Sequence, residues 1–412
     1  MASSKGIGNM KDRNTALIYD KLDVFAGGER VLEQMLALYP ESDVCVAVDI
    51  MKEADRGFLR GKVPITTFAQ RVPFVRHHHR HFLLLLMFAM EQLDLSEYDL
   101  VLSGSASIAK GVITGPDQLH ISYVHSPMRY AWDLQHQYLG EARLDKGVRS
   151  MLARYMLHRA RGWDLRTSNG VDHFIANSQF IARRIWKVYR REATVIYPPV
   201  DVDRFSMRTN KDDFYLTASR MVPYKKIAAI VEAFKALPDR KLVVVGDGPE
   251  MKRVKALAGP NVEVLGYQPG SVLADLMQRA RAFVFAAEED FGITPVEAQA
   301  CGTPVIAYGR GGALETIRGL DQDKPTGVFF DRQEGSSIVD AIRRFEQHQD
   351  FIAPLDCWQN AQRFSAQIFR DTYSNFVEHC WQAFNSTPPM LTGLDRQIAL
   401  QEATRGYPGV AA

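Results

Sequence analysis

Two carboxylates eight positions apart, Glu289 and Glu297, bracket the turn Asp290-Phe291-Gly292-Ile293-Thr294. The apolar run Ala282-Phe283-Val284-Phe285-Ala286-Ala287 precedes them, and Ala298-Gln299-Ala300-Cys301-Gly302-Thr303-Pro304 follows. That order predicts a buried strand, a tight loop and a helix beginning at Pro295. Such a loop aims peptide N–H groups and the positive end of a helix at one point, with a carboxylate on each side. A sugar joined to a diphosphate suits that combination: amides meet phosphate oxygens and carboxylates meet hydroxyls. Thr294-Pro295-Val296-Glu297 also fits a capping box, in which Glu297 bonds back to the cap residue's own N–H. The two roles can coexist.

Arg220 and Lys225 stand where another strand gives way to a short loop. Arginine offers a diphosphate a planar fork and lysine a compact charge. Either residue alone reads as well as an exposed surface cation. Their weight comes from their company: the Glu289 loop, Gly246-Asp247-Gly248-Pro249 and Gly309-Arg310-Gly311-Gly312 are all expected to end strands of the same sheet. Open α/β sheets hold ligands at that edge. Gly27-Gly28, at a helix start, is a second candidate phosphate cradle, although paired glycines mark many tight turns. His125 closes a strand, where a histidine serves equally as a structural group. No Gly-x-Gly-x-x-Gly follows the first strand and no Gly-x-x-x-x-Gly-Lys-Ser/Thr occurs, which argues against a dinucleotide dehydrogenase and a P-loop ATPase.

The elements that must position these residues form two α/β halves. The first has strand signals at 16–20, 44–48, 98–103, 120–124, 173–177 and 194–197, and a helix carrying Val31, Leu32, Met35, Leu36 and Leu38. Pro198-Pro199 reads as the linker. The second restarts the alternation with strands at 214–220, 241–245, 262–265, 282–287 and 304–308. Strands alternating with helices predict parallel, doubly wound sheets, here two in tandem facing an interdomain cleft.

The chain has 412 residues, 46% hydrophobic and 24% charged, enough for two or three domains with sizeable cores. Cys45, Cys301, Cys357 and Cys380 are too far apart for a metal motif or disulfide framework, so buried thiols in a reducing compartment are expected. Residues 1–13 lack a secretory pattern, and a cytoplasmic protein is expected. The apolar run 82–90 is shorter than the roughly 20 residues a bilayer span needs. Its basic lead-in (Arg71, Arg76, His77, His78, His79, Arg80, His81) would suit an anionic membrane surface or merely precede a buried helix. A second basic stretch, 146–166, interleaves Tyr155 and Trp163 with arginines and supports the membrane reading. A formal net charge of +2 lacks the basic excess of a nucleic-acid binder.

The span Glu289 to Glu297 resembles the Glu-x7-Glu signature of retaining glycosyltransferases of family 4, which have the GT-B fold. The resemblance runs from Gly27-Gly28-Glu29-Arg30 through Arg220, Lys225 and Gly246-Asp247-Gly248-Pro249 to Gly311-Gly312-Ala313-Leu314-Glu315-Thr316. Tyr123-Val124-His125-Ser126-Pro127-Met128-Arg129-Tyr130-Ala131-Trp132-Asp133 further resembles bacterial mannosyltransferases of O-antigen, capsule and exopolysaccharide synthesis.

The resemblance implies a role for each residue. Arg220 and Lys225 would grip the donor diphosphate, and Glu297 the ribose hydroxyls. Glu289, with the amides of Phe291, Gly292, Ile293 and Thr294, would hold the hexose. His125 would stand at the reaction centre, Gly27 and Gly28 near phosphate and acceptor, and Gly248 and Tyr267 beside base and ribose. It implies no metal or other cofactor, and an N-terminal acceptor-binding domain at 1–199. It also implies a donor-binding domain at 200–363, a helix at about 364–384 crossing back, and a tail at 386–412. The expected reaction moves mannose from GDP-mannose to a lipid-linked glycan at the inner face of the cytoplasmic membrane, as in lipopolysaccharide assembly. A UDP-sugar or other GDP-sugar donor, a sugar-nucleotide epimerase and a catalytically silent binding subunit are the rivals.

Overall fold

A computed structural model describes residues 13–386 and divides them into two compact units. The first unit takes in the described residues up to Pro198 and from Phe369 onward; the second is Pro199–Ile368. The expected tail lies outside the described residues beyond Ser386.

In the first unit, β1 (Thr15–Tyr19), β2 (Asp43–Val46), β3 (Ile65–Thr66), β4 (Leu100–Ser105), β5 (Leu119–Val124), β6 (His173–Ala176) and β7 (Ala193–Val195) form one sheet. Its order is β3-β2-β1-β4-β5-β6-β7, parallel throughout. Every residue of β1, β4 and β5 is buried, as expected of strands covered on both faces. Leu17 and Tyr19 pack with helix Gly27–Leu38 and with Phe369, Tyr373 and Phe376 of the last helix, Ala366–Ser386. Ala16 and Ile18, on the other face, pack with helix Leu83–Met90.

The second unit contains β8 (Tyr215–Ala218), β9 (Leu242–Val245), β10 (Val262–Gly266), β11 (Ala282–Phe285), β12 (Val305–Tyr308) and β13 (Gly327–Phe330). Their order is β10-β9-β8-β11-β12-β13, again all parallel. Each sheet therefore grows outward in two directions from its first strand. The order reverses between β1 and β4 in one and between β8 and β11 in the other, and such switch points are where α/β sheets hold ligands.

The structure corrects several local expectations. The helix after Glu289 is Ile293–Ala300, with Gly292 at its cap, and Pro295 is its third residue. Gly292 has φ +91°, a left-handed turn that lets the helix begin two residues early. Glu297 is then the fifth helical residue, beyond the reach of a capping box. Residues 223–225 form a 3-10 turn. The apolar run near 82–90 belongs mainly to the core: Leu86, Met87, Ala89 and Met90 are buried. The edge strands β3 and β13 were not anticipated. β3 has two residues, and β13 opens with a glycine behind Lys324-Pro325-Thr326.

Candidate active site

In the second unit the chain leaves β8 at Ala218 and runs through Ser219 and Arg220 to Met221. The Met221 N–H donates to the Asp247 carbonyl at 2.8 Å, and its carbonyl accepts from Glu250 N–H at 3.0 Å. The loop after β8 is thus laced to the turn after β9. Gly248, at φ +151°, allows this approach, since a Cβ there would lie 2.6 Å from the Met221 carbonyl oxygen. Pro223 opens the 3-10 turn and Lys226, at φ 57°, closes it.

That turn brings Lys225 Nζ to 2.6 Å from Glu289 Oε1, across the switch point between β8 and β11. The ammonium stands 5.9 Å from the Phe285 ring centroid. Both partners keep solvent access, with side chains 16% and 24% exposed. Glu289 is aimed from behind: its carbonyl accepts the Gly312 N–H at 2.9 Å, and any Cβ at Gly311 or Gly312 would strike the backbone of Glu289 or Phe291. The Phe291 ring is buried edge-on to Phe364 at 5.3 Å, so this residue can meet a ligand only through its backbone. Gly292 makes no side-chain cap bond. The first-turn N–H groups of Ile293 and Thr294 therefore lack the intrahelical acceptors of later turns.

Glu297 is half-buried on the same helix. Arg220 is exposed and forms no ion pair among the described residues. Tyr267, just past β10, is 77% exposed. All these positions follow the carboxyl ends of β8, β9, β10 and β11, so one sheet edge collects cations, acids and a helix start.

The first unit presents His125, Gly27 and Gly28 at the corresponding edge of its own sheet. His125 N–H donates to the Ser105 carbonyl at 2.8 Å, and its carbonyl accepts from Asn177 Nδ2 at 3.0 Å. The imidazole packs against Tyr123 (5.3 Å) and Tyr19 (6.1 Å), both edge-on. Burial pushes its pKa down to about 4, so the ring is neutral near pH 7, and Nε2 has no hydrogen-bond partner. Gly28 lies against the Tyr19 hydroxyl and would carry its Cβ 3.8 Å from His125 Cε1. The Tyr19 hydroxyl bonds to Glu29, whose carboxylate also accepts the Ala26 N–H at 3.0 Å.

Asp20 bridges this unit's switch point, accepting N–H bonds from Ala106 (2.7 Å), Ile108 (2.7 Å) and Ala109 (2.6 Å). Burial raises its pKa, while those amides and Lys110 oppose the rise. Tyr19, Glu29 and Asn177 were not singled out from sequence. The available signal was their position beside a strand end or the paired glycines.

The four cysteines are free and buried, and burial pushes each thiol up to about 12. No described helix is long and apolar enough to cross a membrane.

Two family models match the chain. "Glycosyltransferase Family 4" matches residues 25–204, and "Glycosyl transferases group 1" matches residues 201–364. A GDP-mannose-dependent monoacylated alpha-(1-6)-phosphatidylinositol monomannoside mannosyltransferase of Corynebacterium glutamicum is 33% identical over 213 residues, 42% of this chain and 55% of that protein. A GDP-mannose-dependent alpha-(1-6)-phosphatidylinositol monomannoside mannosyltransferase of Mycolicibacterium smegmatis is 28% identical over 244 residues, 50% of this chain and 63% of its own. The match thus spans little more than half of these relatives. Among solved structures, Anabaena HepE in complex with UDP superposes with a TM-score of 0.64 at 17% identity, covering 89% of this chain and 99% of that one.

Proposed function

On the premise that the chain belongs to the family 4, group 1 glycosyltransferases and has their GT-B fold, we propose that it transfers mannose, with retention, from GDP-mannose to a lipid-linked glycan. The observation that carries the reading is the Lys225–Glu289 pair at 2.6 Å, held where the strand order reverses and beside a helix start.

A nucleotide diphosphate takes Lys225 and Arg220 as counterions. The charge on the departing phosphate grows in the transition state, so a fixed cation beside it lowers the barrier more than it tightens binding. Glu289 and the amides of residues 291–294 orient the hexose hydroxyls, and Glu297 takes the ribose. Gly248 lets the 219–221 loop close against the turn after β9, which in this assignment lies beside the nucleotide, and Tyr267 offers an aromatic face to the base. The family resemblance assigns the neutral imidazole of His125 to the transferred sugar and Gly27-Gly28 to phosphate and acceptor. This assignment uses no divalent metal. The Corynebacterium and Mycolicibacterium relatives are both GDP-mannose-dependent mannosyltransferases, which supports the choice of donor. A lipid-linked acceptor agrees with a peripheral position on the inner face of the cytoplasmic membrane and with a role in cell-surface polysaccharide synthesis.

The test is incubation of the full-length protein with radiolabelled GDP-mannose, other GDP-sugars and UDP-sugars, together with bacterial membrane lipids. Label entering the lipid phase from GDP-mannose is expected. Preferred transfer from a UDP-sugar would overturn the donor. A free epimerised nucleotide sugar would overturn the transferase reading.

A further inference from the structure

Much of the 82–90 run is in the core, although Phe88 is 54% exposed beside Phe68 and Phe74 is 74% exposed. A longer exposed apolar stripe on a single helix lies on Val148–Thr167, where Val148 is 82% exposed, Met151 71%, Leu152 60% and Tyr155 59%. The spacing i, i+3, i+4, i+7 puts these four on one side of the first two turns. Single exposed apolar residues are ordinary, but a continuous stripe marks an interaction surface.

Within the helix itself the charges beside the stripe are basic, and the exposed acids Glu141 and Asp145 lie just before it. Lys146 and Arg149 are exposed at its start, and Arg159 is exposed one turn past Tyr155. No acid occurs from Lys146 to Trp163, and the next one, Asp164, is buried against Lys110 at 2.7 Å. The opposite side of the helix is anchored: Ser150, Ala160, Asp164 and Thr167 are buried, and Trp163 Nε1 donates to Glu91 at 2.6 Å. This anchoring stops the stripe from turning inward.

We propose that this face docks the protein on an anionic lipid bilayer. Val148, Met151, Leu152 and Tyr155 enter the headgroup boundary, while Lys146, Arg149 and Arg159 meet lipid phosphates. An exposed apolar stripe flanked by cations is the pattern of an interfacial helix, and long basic side chains can bury their stems while their charges stay at the surface. Two copies meeting through this face would set like charges against each other, which opposes self-association. The inference rests on the lipid-linked acceptor of the proposed function and names the surface that would bring the enzyme to it.

The test is cosedimentation of the full-length protein with vesicles of phosphatidylcholine alone or mixed with phosphatidylglycerol. Binding is expected only to the mixed vesicles and should weaken with salt. Replacing Arg149 and Arg159 by Gln should lower partitioning roughly tenfold or more, since each basic residue near such a surface contributes on the order of 1 kcal/mol. Met151→Glu with Leu152→Glu should lower it at least as far. These positions are exposed, and unchanged melting curves would show that the variants fold. Wild-type vesicle binding by both double variants would overturn the proposal. So would a wild-type dimer that Leu152→Glu dissociates, which would assign the face to a second copy. Lipid-phase hexose transfer by a protein whose vesicle binding ignores these residues removes the face and leaves the function. Face-dependent vesicle binding with no transfer from any nucleotide sugar does the reverse.

Discussion

The molecule contains two lysine–carboxylate pairs of almost the same length and opposite character. Lys110 Nζ lies 2.7 Å from Asp164 Oδ1, with side chains 2% and 0% exposed. Lys225 Nζ lies 2.6 Å from Glu289 Oε1, with side chains 16% and 24% exposed. In the first pair every group is engaged. Lys110 also donates to the Asp164 carbonyl (2.9 Å) and Thr167 Oγ1 (3.0 Å), and Asp164 accepts from Trp132 Nε1 (2.7 Å) and the Tyr189 hydroxyl (3.0 Å). The second pair sits at a sheet edge and can exchange partners with an incoming ligand. Distance alone does not separate a structural pair from a functional one; burial and saturation do.

The comparison can be broken from its structural side first. Lys110→Met leaves Asp164 buried without its counterion, and should lower unfolding free energy by about 3–5 kcal/mol, read from urea melts. A loss under about 1 kcal/mol would mean that the network is not saturated as described. On the functional side, Lys225→Ala should cut turnover by about a hundredfold or more, the scale for losing one transition-state charge partner. Its stability should change by less than about 1 kcal/mol, as for other partly exposed pairs. Near-normal turnover, or destabilisation matching that of Lys110→Met, would erase the distinction.

Acid should sharpen the contrast between the units. His120, His125 and His173 all belong to the first unit, and burial pushes each down to about 4. Between about 6.5, the unfolded value, and 4 the unfolded chain binds protons that the native state refuses. Stability should therefore fall as pH drops through that window, by up to about 1.4 kcal/mol per pH unit for each histidine, and level off in this contribution below it. The second unit has no buried histidine, so pH-dependent hydrogen exchange should show the first opening earlier. The smallest effect is expected at Tyr267. Replacement by Ala should raise donor KM a few-fold with kcat unchanged, since an aromatic contact contributes about 0.5–1.5 kcal/mol. A fall in kcat instead would move this residue from nucleotide binding into the chemistry.

The two pairs were not equally legible. Lys225 and Glu289 could be placed at one sheet edge because each follows an apolar run read as a strand of the same parallel sheet, although their ion pair was not foreseen. Lys110 and Asp164 lie 54 positions apart on non-strand elements, and nothing in their neighbours signals that either is buried. The same limit applies to the proposed docking face. Residues 82–90 are the longest apolar run but are largely core, whereas Val148, Met151, Leu152 and Tyr155 are diluted by arginines and stand in solvent. Composition ranks hydrophobicity along the chain, while exposure depends on which side of a helix finds a partner. The early helix start at Ile293 was hidden because Pro295 is permitted anywhere in a first turn, and only the backbone torsion of Gly292 decides the boundary.

The contact between Gly28 and the Tyr19 hydroxyl couples the fates of two codons. A methyl group at position 28 would collide with that oxygen, whereas the ring carbon behind it lies 3.4 Å from the same point. Removing the oxygen therefore creates the vacancy that an alanine needs. Gly28→Ala should be harmful in the parent background and partly rescued by Tyr19→Phe, so a paired library would recover the two changes together more often than either separately.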